Sequence, residues 1–111
     1  MLIAYRSLKL LRNHSATEIP IRIYLPEQES AKAWSCRYEI DWPHGGWRHA
    51  AWGVDSIQTI FIALQLIGSE IYASEYHRTG QLMLDAPGRG YGFPVPATIR
   101  DMLIGDDAKF L

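Results

Sequence analysis

The chain has 111 residues, 48% of them hydrophobic, so it holds enough apolar material for the core of one domain over residues 1–111. Its net charge of −1 and its pI of about 6.4 argue against a general nucleic-acid surface or an anionic-membrane surface. The single cysteine, Cys36, excludes an internal disulfide bond and fits a reducing compartment, so we expect a cytoplasmic protein.

The first half of the chain alternates apolar and polar residues, as half-buried β-strands do. The pattern predicts four strands: Leu2–Leu11, Ile19–Leu25, Trp34–Asp41 and Trp47–Trp52. Residues 12–17 are polar and predict a turn, and residues 26–30 predict a loop. The last two strands form a hairpin whose connection we expect to be longer than two residues.

The stretch Val54–Tyr72 predicts the one long helix of the chain. Its apolar residues recur at helical spacing and predict one buried face: Ile57, Ile60, Phe61, Leu64, Ile67 and Ile71. Asp55 suits the N-cap, and Gln58 can complete a variant of the capping box. Gly68, on the predicted buried side, indicates the close approach of a strand backbone.

The helix is expected to end between His77 and Gly80. Polar residues at positions 58, 59 and 65 interrupt its apolar run, so we predict no membrane-spanning segment. Gln81–Leu84 is compatible with a short fifth strand, and Asp85–Pro96 is too rich in glycine and proline for regular structure. Thr98 can cap a short final helix that ends at Gly105.

This order of elements predicts an α+β fold: an antiparallel sheet of about four strands packed against one long helix, with a loop-rich C-terminal tail. Such a two-layer arrangement covers one face of the sheet with the helix. Alternation assigns side chains to faces but does not identify the covered face. By parity, Trp47 and His49 share one face of the last strand, while Arg48 and Trp52 share the other.

Candidate catalytic groups are few. Cys36 and His49 lie on the two arms of the predicted hairpin, where they would be a nucleophile with its base or two zinc ligands. No ligand spacing completes a metal site, so we expect no metal and no cofactor. The run Gly88–Gly92 is followed by Pro94 and Pro96 rather than a helix, which argues against a phosphate loop.

Partner binding is the better supported class. The residues that we single out as a partner-binding set are Trp42, Trp47, Arg48, Trp52, Ile62, Leu66, Arg89 and Tyr91. Exposed tryptophan beside arginine is typical of an interaction hot spot, although the indoles can instead cover the hairpin edge. Ile62 and Leu66 fall in the polar arc of the helix, where they either form a binding stripe or lie under a loop or the C-terminal segment.

Three segments carry a resemblance to a known family: the helix start Gly53-Val54-Asp55-Ser56-Ile57-Gln58, the pair Ile67-Gly68 and the loop Gly90-Tyr91-Gly92-Phe93-Pro94. They resemble an uncharacterised family of small bacterial domains, over most of the chain after Trp34. The resemblance implies a bacterial cytoplasmic protein with a sheet-plus-helix fold. It implies no activity. The matching residues are interpreted as structural: a helix cap, core residues and a turn.

These observations leave three functional hypotheses. The first is a non-enzymatic protein-binding domain, in particular an immunity protein that neutralises the toxin of a neighbouring bacterium. The second is a small enzyme that uses Cys36 and His49. The third is a structural homodimer, formed through the open sheet face or through Ile62 and Leu66.

Overall fold

Six strands form one antiparallel sheet in the computed structural model, which describes residues 1–111. The strands are β1 (Leu2–Arg12), β2 (Ser15–Tyr24), β3 (Glu27–Ser30), β4 (Ala33–Trp42), β5 (Gly45–Gly53) and β6 (Leu82–Met83). β5 pairs with β4 along its length, so β2 and β3 share the other edge of β4. β1 lies between β2 and the short β6.

The helical elements follow the fifth strand. They are α1 (Ser56–Ala73), α2 (Glu75–Arg78), a 3₁₀ helix (Ala97–Met102) and α3 (Gly105–Phe110). The mixed α+β class, the antiparallel sheet and the single long helix are therefore confirmed. The sheet has six strands rather than the predicted four or so, because β3 was missed and β6 is present. The tail beyond residue 96 contains two short helices.

β3 was missed because it carries no apolar alternation. All four of its residues, Glu27–Ser30, are exposed, and the strand exists through its backbone pairing with β4. Both hairpin turns are also tighter than predicted. Asn13 and His14 have positive φ angles of 48° and 66°, as a two-residue hairpin loop requires, and Trp42 pairs directly with Gly45 across Pro43 and His44.

α1 begins largely as the sequence predicts. The Asp55 carboxylate accepts a hydrogen bond from the Gln58 backbone N–H at 2.8 Å. The Gln58 side chain reaches back one residue further than expected and accepts from the Val54 N–H at 2.7 Å. α1 ends at Ala73, and Ser74 then caps α2, so the predicted end near His77 corresponds to a second helical turn after a break.

The buried face of α1 is only partly the predicted one, because Ile67 and Ile71 are buried as expected while other members of the predicted face are not. Its buried residues are Thr59, Ala63, Ile67, Gly68, Ile71 and Tyr72. Ile57 is 80% exposed and Phe61 is 54% exposed, so the prediction that these two residues are buried is wrong. The small residues of the helix face the sheet because they allow a close approach. A Cβ built at Gly53, for example, would lie 2.6 Å from Thr59 Oγ1.

Position 68 requires glycine because another part of the chain approaches the helix closely there. That part is an irregular segment and not the predicted strand. A Cβ built there would overlap the carbonyl oxygen of Pro94, in the irregular segment that leads to the 3₁₀ helix. The last residues of this segment, Phe93 and Val95, are buried in the main hydrophobic cluster. Gly68 therefore lets the segment pack directly on the helix backbone.

α1 has the length and composition of a membrane span, with 18 residues and a mean hydropathy of 1.2, although polar residues at positions 58, 59 and 65 interrupt its apolar run. In the structure α1 lies against β4 and β5, and 33% of its residues are buried. The core helix of a folded domain passes the same test of length and composition. Packing against the sheet accounts for the buried part of this apolar character, and the exposed Ile57 and Phe61 account for another part.

Candidate functional site

The structure places two of the predicted partner-binding residues in the core. Trp42 is 7% exposed, and its indole stacks on the Tyr76 ring with centroids 5.3 Å apart. Tyr91 is 3% exposed, and its hydroxyl lies 2.6 Å from His77 Nδ1. Burial and the nearby charge of Asp107 raise the pKa of Tyr91 to about 12. These two side chains stabilise the fold and leave little exposed area for a protein partner.

Three more members of the predicted set are half-buried. Ile62, Leu66 and Trp47 all pack against the hydrophobic core. For Ile62 and Leu66 this supports the alternative in which they are covered, rather than an open stripe. Trp47 stacks on His49 with ring centroids 4.2 Å apart, on the sheet face that α1 covers.

The two arginines of the set are exposed and ion-paired. Arg48 Nε donates to Glu39 at 2.9 Å, within a network on the open sheet face that also joins Arg22 and Asp41 at 2.6 Å. The hydrogen bond from Tyr24 lowers the pKa of Glu39. Arg89 pairs with Asp106 at 3.2 Å. Neighbouring acidic groups therefore already satisfy both guanidinium groups.

Trp52 is the apolar member of the set that lies well exposed, at 57%, on the open sheet face. It begins a run of large apolar side chains that continues along the chain from the end of β5 into α1. We call this run the apolar strip: Trp52, Val54, Ile57 and Phe61, with exposures of 57%, 60%, 80% and 54%. Residues four apart on a helix are neighbours, so Ile57 and Phe61 extend the strip along one side of α1.

The apolar strip leads into an open groove of about 520 Å³. Phe61 and Leu64 line this groove from α1, Pro94 and Val95 from the irregular segment, and Phe110 from α3. Phe110 is itself 75% exposed. Exposed apolar side chains beside an open groove are candidates for an interaction surface.

Cys36 and His49, the predicted catalytic pair, are not hydrogen-bonded to each other. Cys36 lies opposite Ala51 while His49 lies opposite Tyr38, so the two residues are diagonal neighbours across the hairpin. The Cys36 thiol donates to the Tyr24 carbonyl oxygen at 3.3 Å, and burial raises its pKa. A reactive cysteine requires a lowered pKa, so these observations argue against a nucleophile here. No cluster of three or more His, Cys, Asp or Glu side chains is placed to hold a metal ion.

One polar cluster in the interior fully satisfies its hydrogen bonds. Asp107 of α3 is 2% exposed and accepts from the Tyr72 hydroxyl at 2.5 Å and from the N–H groups of Tyr91 and Gly92 at 2.8 Å. Burial, followed by the hydrogen bond to Asp107, raises the pKa of Tyr72. A Cβ on Gly90, which has φ +89°, would press on this carboxylate. We call this cluster of hydrogen bonds, which joins Asp107 to Tyr72, Tyr91 and Gly92, the tail clamp.

Sequence reasoning missed the apolar strip because α1 is apolar on more than one side. Periodicity placed Ile57 and Phe61 on the buried face, whereas the first half of the helix buries the smaller Thr59 and Ala63 instead. Thr59 and Ala63 could have indicated the buried side, because small side chains let a helix approach a sheet closely. The tail clamp was also missed, because Asp107 reads as a solvated terminal acid.

The family model described as a domain of unknown function, DUF6968, matches residues 4–95. The match covers most of the chain, so the protein belongs to this family. The resemblance to an uncharacterised family is thereby confirmed, while a bacterial source stays a prediction. Comparison with curated proteins and with solved structures gave no match. Asp107 lies beyond the matched residues.

Proposed function

We propose that this domain binds another protein through the apolar strip and catalyses no reaction. The observation that carries the proposal is that four large apolar side chains between Trp52 and Phe61 are each more than half exposed. Burying a side chain of this size contributes about 1.5–3 kcal/mol. A partner that covers the strip and the adjoining groove therefore has a hydrophobic anchor of the kind found at interface centres.

The partner in this proposal is a toxin of a neighbouring bacterium, which makes the domain an immunity protein of the cytoplasm. The support is that the chain is small, that burial raises the pKa of its one cysteine, and that no group of three or more His, Cys, Asp or Glu side chains could hold a metal ion. An immunity protein needs only shape and charge complementarity to its toxin. Genes for immunity proteins lie beside the gene for the toxin, so the neighbouring gene provides the first candidate partner.

Affinity capture with matched variants tests the proposal. Tagged wild type is compared with the double variant Ile57→Ser/Phe61→Ser and with Tyr5→Ser, which removes a side chain of similar exposure from β1. We expect wild type and Tyr5→Ser to capture the same protein in stoichiometric amount, and the double variant to lose it. Equal capture by all three proteins would exclude the apolar strip as the interface.

Light scattering at high protein concentration separates this proposal from a homodimer. If the protein is a monomer at high concentration, the apolar strip does not bind a second copy of the chain and is free to bind another protein. A dimer that dissociates in the Ile57→Ser/Phe61→Ser variant would instead show that the strip binds a second copy of the chain. Survival of cells that co-express the neighbouring toxin gene tests the immunity role itself.

A further inference from the structure

A second cleft, of about 480 Å³, lies at the opposite end of α1 from the apolar strip. Glu70 on this cleft is thirteen residues from Ile57, which corresponds to about 20 Å along a helix. The cleft opens between the β4–β5 turn and the start of α2. It is therefore separate from the surface proposed to bind a protein partner.

Aromatic rings line this cleft and are held in fixed positions. The rings of Trp42 and Tyr76 stack with centroids 5.3 Å apart and planes 28° apart. His44 Nδ1 lies 2.9 Å from the Tyr76 hydroxyl, which fixes the phenol ring. Trp47 completes the aromatic lining. Rigid rings of this kind bind cations through their faces without a large loss of side-chain entropy.

The chain itself shows that the cleft accepts a guanidinium group. Arg12 places its guanidinium carbon 5.0 Å from the centroid of the Tyr76 ring. Arg12 makes no ion pair, although Glu70 and Glu75 line the same cleft. Its position therefore depends on the aromatic ring rather than on an acidic partner.

Glu70 is the free anionic group of the cleft. Its side chain is half-buried and makes neither an ion pair nor a hydrogen bond, whereas Glu75 pairs with Arg78. A half-buried carboxylate beside aromatic rings is a favourable counter-ion for a cation that is flat and weakly hydrated. A guanidinium group can stack on a ring and donate two hydrogen bonds to a carboxylate at the same time.

We propose that this cleft binds a guanidinium group, with Glu70 as the counter-ion and the rings of Trp42, Trp47 and Tyr76 as the aromatic walls. The guanidinium belongs either to a free small molecule or to an arginine side chain of a protein. Both sources present the same chemistry to the cleft. This site does not depend on the protein-binding role of the apolar strip.

The test uses the whole protein and follows the indole N–H resonances of Trp42 and Trp47 by NMR. Arginine amide is the probe, and citrulline amide, which has the same shape without the charge, is the control ligand at equal ionic strength. We expect saturable shifts of these resonances with arginine amide and none with citrulline amide. A Gly-Arg-Gly peptide distinguishes the sources: tighter binding than arginine amide indicates a protein side chain, and weaker binding a small molecule.

Three variants sharpen this test. Glu70→Gln should weaken binding about tenfold, because a charge-assisted hydrogen bond is lost. Glu27→Gln removes a remote, exposed carboxylate and should leave the affinity unchanged. Arg12→Gln frees the Tyr76 ring and removes a like charge, so it should tighten binding about threefold.

Two results would overturn the proposal. One is an arginine amide titration without shifts of either indole resonance, or with equal shifts from citrulline amide. The other is unchanged affinity in Glu70→Gln when its thermal unfolding midpoint matches that of wild type. Since the Glu70 side chain makes no hydrogen bond, we expect this variant to fold normally.

Discussion

The tail clamp and the apolar strip differ in how their side chains meet water: those of the tail clamp are buried and hydrogen-bonded, and those of the apolar strip are exposed. In the tail clamp a buried carboxylate receives three hydrogen bonds and joins α3 to the segment that covers α1. In the apolar strip four large hydrophobic side chains remain in water. Satisfied buried groups stabilise the domain, whereas exposed apolar groups contribute nothing to its stability alone. The comparison separates residues that maintain the fold from residues that are free to contact a partner.

The largest effect that we expect comes from breaking the tail clamp with Asp107→Ala. Three donors lose their acceptor, so the free energy of unfolding should fall by about 3 kcal/mol or more. Urea denaturation followed by tryptophan fluorescence measures this change. Asp106→Ala, at the exposed neighbouring position, should cost less than about 1 kcal/mol. Equal losses in both variants would show that Asp107 has no special role.

The next effect tests the close packing of the segment that the tail clamp holds. In Gly68→Ala the added methyl group overlaps the Pro94 carbonyl oxygen, so we expect a loss of about 2 kcal/mol in unfolding free energy. Ser69→Ala is the adjacent control and should change stability by less than about 1 kcal/mol. A neutral or stabilising Gly68→Ala would contradict direct contact between the segment and α1.

A smaller effect concerns pH at His77, beside the tail clamp. Burial lowers its pKa from the usual 6.5, so the unfolded chain binds more protons than the native protein between the two values. This contribution to stability is present above about pH 6.5 and is lost as the pH falls toward the lowered pKa. Thermal unfolding from pH 7 to pH 5 should show a shallower decline in His77→Gln than in wild type. Equal declines of the unfolding midpoint in wild type and in His77→Gln would show that His77 does not cause this pH dependence.

The smallest effect on stability is expected in the apolar strip. Ile57 is 80% exposed and packs on little, so Ile57→Ser should change the free energy of unfolding by less than about 0.5 kcal/mol. Ile67→Ser, on the buried side of the same helix, should cost several kcal/mol because Ile67 is fully buried. A large loss from Ile57→Ser would mean that the strip belongs to the core.

The sequence allowed the strands with apolar alternation, the helix and its Asp55 cap to be predicted, because each depends on local patterns. It did not predict β3, whose exposed polar residues carry no apolar alternation and pair with β4 mainly through the backbone. Nor did it predict the orientation of α1 about its axis, because Ile57 and Ile67 are equally apolar and only packing separates them. Asp107 was missed because its partners lie far away along the chain.

The most direct test of the apolar strip is the affinity of a captured partner for wild type and for Phe61→Ser, measured by calorimetry. If Phe61 is a central contact, the dissociation constant should rise about 30-fold or more, with an unchanged thermal midpoint of the free domain. An unchanged affinity would contradict the account, because it would show that the partner binds elsewhere on the domain.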